Sequence, residues 1–178
     1  MQGESRQKTG SRRARGAFYL LGIFLLAMGV SGSGWAIRAA LANRQYGALL
    51  TLKMESEAEM RLARRLFRLS PRHYAVCIRA ADTAFRTAEA QCNPELARTW
   101  REEARFWVSR GLNLNPWLME LHYLKARLAA VESPAAGVDA WKSYVDWHFW
   151  DPVNLEHLAR FQEAAGQIEA ALETLEWL

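Results

Sequence analysis

The chain is poor in the residues that build disulfide scaffolds and metal centres. Among its 178 residues are two cysteines, Cys77 and Cys92, and four histidines, His73, His122, His148 and His157. There is no HExxH pair and no histidine beside paired cysteines, so no metal site is expected. Four turns of helix would hold the two sulfurs about 22 Å apart, beyond disulfide reach unless the chain doubles back. Two small buried hydrophobic side chains are the simpler expectation. Phosphate-binding glycine loops, nucleophile elbows and paired catalytic carboxylates are also missing, which argues against an enzyme and against a cofactor. No stretch alternates apolar and polar residues between turn signals, so strands are not expected either.

Proline is scarce, and its placement is regular. All five prolines follow a residue that caps helices: Ser70-Pro71, Asn93-Pro94, Asn115-Pro116, Ser133-Pro134 and Asp151-Pro152. Ser, Asn and Asp accept a hydrogen bond from an orphan N–H at a helix start, and proline suits the next position because its missing donor is not needed there. The second half of the chain therefore reads as a train of short helices with tight joints.

Charge is missing altogether from residues 17–37, AFYLLGIFLLAMGVSGSGWAI. Twenty-one helical residues span about 30 Å, the thickness of a bilayer's hydrocarbon core. Tyr19 and Trp35 lie near the two ends, where amphipathic rings favour the interface. The alternative is a cleaved secretory signal, with Ser31-Gly32-Ser33-Gly34 near the processing site. Apolar character resumes at Trp35, Ile37 and Leu41, which favours a retained anchor. The net charge of +4 belongs to residues 1–16, where five basic groups face one acidic group. That basic tail sets topology: it stays in the cytoplasm and the body is extracytoplasmic, at a cell (inner) membrane crossed once. Without interleaved aromatics it carries no nucleic-acid signal. Gly29, Gly32 and Gly34 are compatible with helix pairing, hence with an oligomer, and equally with a merely permissive stretch.

The body is electrically balanced but polarised. From Arg38 to Arg110 there are 14 basic and 8 acidic residues; from Glu120 to the end there are 4 and 10. Apolar residues recur at helical spacing throughout. The periodicity predicts helices over 49–69, 71–90, 94–112, 116–131, a fifth from 134, 152–165 and a seventh from 168. The resulting division is a tail at 1–16, a span at 17–37, a linker at 38–48 and a helical domain at 49–178.

Taken in pairs, the helices repeat. Leu69-Ser70-Pro71, Leu114-Asn115-Pro116 and Trp150-Asp151-Pro152 each close one helix and open another. The segment 152–178, PVNLEHLARFQEAAGQIEAALETLEWL, resembles the tetratricopeptide repeat (TPR) family, whose unit of about 34 residues is two antiparallel helices. Leu155, Leu158 and Ala159 match its first-helix packing positions. Gly166 falls at its turn, and Ala171 and Leu175 at small and large positions of the second helix. Segments 95–116 and 58–71 resemble its second helix and exit proline. The 71–115 unit is overlong, and the 116–151 unit has Ser133-Pro134 where the family has a turn glycine. The fold class expected is thus all-α: one N-terminal transmembrane helix, then an α-solenoid of TPR-like antiparallel helix pairs.

The resemblance implies a non-catalytic surface for protein partners, an interaction scaffold or accessory subunit of an envelope complex. The alternatives are a structural subunit of a membrane complex, a secreted adaptor, or an accessory protein of an enzyme acting on a glycan or lipid-linked polymer. The resemblance places the partner groove on the first helices of each pair, 71–90, 116–131 and 152–165. Seven of the eight tryptophans lie between Trp100 and Trp177, and about two thirds of these are expected in the core. In the segment 141–150 the aromatics surround the whole helix, so Trp147 and Trp150 are expected to face a partner. Trp177 and Leu178 end the last helix uncovered and are assigned to the same role, unless they fold back. Arg61, Arg64, Arg65 and Arg68 form a ladder, with Arg72 continuing it. It is either a solvated face or a surface for anionic lipid headgroups.

Overall fold

A computed structural model of the chain describes residues 5–51 and 56–178, with side chains over 21–47, at Leu49 and over 56–178. The basic cluster in 6–15 and the ring of Tyr19 lie outside the described side chains. Among the described residues the secondary structure is eight helices and no strand: α1 (Ser5–Thr51), α2 (Ser56–Leu69), α3 (Tyr74–Glu89), α4 (Pro94–Leu114), α5 (Met119–Ala130), α6 (Pro134–Val145), α7 (Pro152–Ala164) and α8 (Ile168–Glu176).

The chain divides into two units, Met1–Gln45 and Tyr46–Leu178. The first is helical throughout its described length, so the stretch 38–48, expected as a linker, continues α1 rather than interrupting it. Leu21–Gly47 is long and apolar enough to cross a membrane. Its Leu26, Val30 and Trp35 are exposed.

In the second unit each helix from α2 onward packs on its successor. Connections of a few residues force consecutive helices to run antiparallel, so the joints alternate between two edges. We call near the edge that holds the joints 70–73, 115–118 and 146–151 and the end of α8. The far edge holds the joints 90–93, 131–133 and 165–167. Tyr46 stands at the near edge, its ring 4.6 Å from that of His73. Trp117 and His148, from two successive near joints, are 5.9 Å apart.

The proline marks behave in two ways. At the far edge Asn93 Oδ1 accepts from Glu95 N and Leu96 N, and Pro94 opens α4. Asp151 likewise accepts from Val153 N ahead of Pro152. Ser133 precedes Pro134 without a side-chain cap bond. At Ser70 and Asn115 the helix is delayed: α3 begins at Tyr74 and α5 at Met119. Asn115 Oδ1 instead accepts from Trp117 N, holding a short Asx turn. Gly166 turns the chain into α8 at φ 75°, a left-handed conformation that costs glycine nothing.

The core is continuous along the stack. Val76, Cys77, Ala81 and Phe85 of α3 are buried, as are Ala104, Trp107 and Val108 of α4. Farther on, Ala126, Val138, Trp141, Tyr144, Val145 and Leu158 form one cluster. The buried Trp141 indole N–H donates to the Asn154 carbonyl at 2.9 Å, which removes the cost of enclosing it. Only Trp107 and Trp141 of the seven later tryptophans are buried, fewer than hydrophobicity alone predicts. Four of the others fall in or beside near-edge joints or at the end of α8, and all four are exposed. Cys77 is buried, and burial pushes its thiol up to about 11. Cys92 is exposed in a far joint, so the expectation of two buried sulfurs holds for Cys77 alone; both cysteines are free.

Gly137 marks a close approach of α6 to the backbone of α5. A Cβ there would lie 2.6 Å from Ala130 Cβ and 3.2 Å from the Ala126 carbonyl oxygen. Gly137→Ala is therefore expected to cost about 1–3 kcal/mol through overpacking, seen as a lower denaturation midpoint of the full chain in detergent. An unchanged midpoint would contradict the close α5–α6 contact.

Two histidines are built into the aromatic core. His122 stacks on Tyr144 at 4.6 Å, and His157 lies 4.5 Å from Tyr123. Burial lowers the proton affinity of both; near His157 the Arg160 guanidinium adds to the effect, while near His122 a bond to the Pro116 carbonyl opposes it. The unfolded chain thus binds protons more readily, so this stability is present above about pH 6.5 and is lost as pH falls below that value. His157→Phe keeps a ring against Tyr123 but cannot titrate. Its melting temperature should fall less than that of the parent chain when pH is lowered from about 7.5 to about 5.5.

Candidate functional site

Helices α3, α5 and α7 run in the same direction and present one shared surface. Two adjoining hollows of 330 and 380 Å³ lie along it, and both are bounded by Tyr123, Arg127 and His157. The first extends to Phe85 and Glu89 of α3 and to Phe161 of α7. The second extends toward Tyr46, Ile78, Asp82 and Glu120. Together they form one groove across three helices.

Each lining side chain is fixed by helix periodicity. Tyr123 and Arg127 are four residues apart on α5 and therefore stack on one face, as do His157 and Phe161 on α7. The floor is aromatic: Tyr123 lies 5.8 Å from Phe161 and 5.7 Å from Trp141. Arg127 bridges two helices. Its guanidinium donates to Glu89 at 2.7 Å and sits 4.3 Å above the Phe85 ring. Arg160 pairs with Glu156, and Arg86 with Asp82 at 2.8 Å. The walls thus carry both signs of charge around an apolar floor. Such a surface suits a peptide segment, with aromatic rings for apolar side chains and exposed ion pairs for its polar groups.

Of the groove's titratable groups, Glu89, Arg127, Asp82 and Arg160 are held in ion pairs and Tyr123 and His157 in ring contacts, and none of these forms a nucleophile–base pair. Among the described residues no group of three His, Cys, Asp or Glu side chains is placed to hold a metal ion.

The residues singled out in the sequence lie elsewhere. Trp147 (71% exposed), Trp150 (67%), Trp177 (83%) and Leu178 (56%) all stand on the near edge, not in the groove. Trp117 (64%) and Phe149 (64%) join them there. Sequence reasoning misses both, although Trp117 follows directly on the Asn115-Pro116 mark. It also misses Tyr123 and Arg127, because within one helix they look like ordinary core and surface residues. The arginine ladder is divided. Arg61 pairs with Glu57 on its own helix, and Arg64 reaches Glu103 of α4 at 2.9 Å. Arg65 and Arg68 are exposed.

No protein-family model matches the chain, and no curated protein matches it. Among solved structures it is similar to TTC0263, a thermophilic TPR protein of Thermus thermophilus. The TM-score is 0.59 at 16% identity, over 86% of this chain and 84% of that one. At that identity the likeness concerns backbone architecture. The chain has a TPR-like helical repeat fold.

Proposed function

We propose that the protein is a non-catalytic, membrane-anchored scaffold that holds a segment of a partner protein in the α3–α5–α7 groove. The observation that carries this reading is the groove itself: one continuous surface from three helices, with an aromatic floor and Arg127 at its centre. A repeat stack of this kind offers binding surface without an active centre.

Anchoring is supported by the exposed apolar span Leu21–Gly47. The basic residues before it favour a cytoplasmic N-terminus and an extracytoplasmic repeat unit. There the protein would act as an accessory subunit of an envelope complex.

A photo-crosslinking residue at Tyr123 in native membranes is expected to capture a discrete protein. Arg127→Glu places like charge against Glu89 and removes the cation from the groove, so capture should fall several-fold while the circular dichroism spectrum stays helical. Undiminished capture, or robust turnover by the purified chain that a single polar substitution abolishes, would overturn the reading.

A further inference from the structure

We propose that the near edge of the repeat unit is seated in the interfacial layer of the bilayer, with Trp117, Trp147, Phe149, Trp150 and Trp177 as its aromatic belt. The inference rests on the anchored reading of Leu21–Gly47 and adds to it which surface of the body the lipid covers.

The first observation is how the rings are sorted. All five of these exposed aromatics lie in near-edge joints or at the near end of α8. The far joints 90–93, 131–133 and 165–167 contain no aromatic residue. The near joints close α2–α3, α4–α5 and α6–α7 and the far joints close α3–α4, α5–α6 and α7–α8, so the rings gather at one class of joint. Indole rings combine an apolar body with one N–H donor, the combination that favours the boundary between lipid tails and water.

The second observation is where the chain enters the unit. Tyr46 is the penultimate residue of the candidate span, and its ring touches His73 in a near joint. The chain thus enters the repeat unit at its near edge, which fits a seat on the bilayer that the anchor crosses. This continuity separates a lipid surface from a protein partner, which would impose no relation between the rings and the tether.

Charge on the edge agrees with this where the tether lies. Arg68 and Arg72 are exposed there, and each basic residue near an anionic surface adds about 1 kcal/mol. Arg61 stands about 12 Å farther along α2 and is too remote to share the role. Among the edge carboxylates, Asp146 is held by Lys142 at 3.1 Å and Asp151 caps α7. Glu120 and Glu176 are exposed, so the later repeats would be held by aromatic rings rather than by charge.

The cysteines supply a built-in control. Cys77 is buried, whereas Cys92 is exposed in a far joint. The full chain is reconstituted in phosphatidylethanolamine–phosphatidylglycerol vesicles and labelled with a fluorophore, either at Cys92 or at Trp150→Cys in a Cys92→Ser background; Trp117→Cys gives a second near-edge site. Lipids spin-labelled at the headgroup should quench the labels at positions 150 and 117 several-fold more than the label at Cys92. Equal quenching at the two edges, in protein that still floats with the vesicles, would overturn the seat and leave the anchor standing. Failure to float would overturn both. Near-edge labels that are open to aqueous iodide in vesicles but shielded in native membranes would mean that a protein covers the edge, and would also overturn the proposal.

Discussion

A single antiparallel pair of helices has apolar residues on two sides and can bury only one of them internally. That constraint organises the repeat unit. Each helix from α2 to α8 must pack on its successor, and the enclosed surface grows along the chain rather than around a centre. Phe85, Trp107, Trp141 and Leu158 are links in such a row. At α8 the apolar side chains of Leu172 and Leu175 remain exposed.

The same stacking creates the groove. Antiparallel order brings every second helix to one surface, so α3, α5 and α7 line up although their residues are far apart in sequence. Arg127 then becomes a bridge, with Glu89 as its ionic partner and Phe85 under its guanidinium. The polarised charge of the body enters here too, since the mixed α3–α5 border gives way toward α7 and α8 to an acidic region. A ligand lying along the groove would meet different electrostatics at its two ends.

Much of the architecture is legible in the sequence because its determinants are local. Proline after Ser, Asn or Asp locates every helix start in the body from α3 onward except α8 to within a few residues, and Gly166 locates the last turn. The delays at Ser70 and Asn115 are not legible, since they depend on how a joint closes against its neighbours. The sense of the groove follows from repeat resemblance, but not its residues. Tyr123, Arg127 and His157 share a wall only once three helices are in register, and no short window records that. The tryptophans mislead for a related reason. Hydrophobicity assigns about two thirds of them to the core; Trp147, Trp150 and Trp177 read as uncovered from the sequence, but only the alternation of joints shows that they share one edge with Trp117.

Packing density is uneven along the row, and this has a consequence for how the molecule opens. The ring cluster around Trp141, braced by the glycine contact at position 137, sits in the interior repeats, whereas α8 buries only Ala171 and Thr174. In a nearest-neighbour stack, local opening starts where the fewest couplings hold. Amide protons of α8 would exchange first and those of α5 and α6 last. The terminal helix would come loose while the three helices that form the binding surface stay folded.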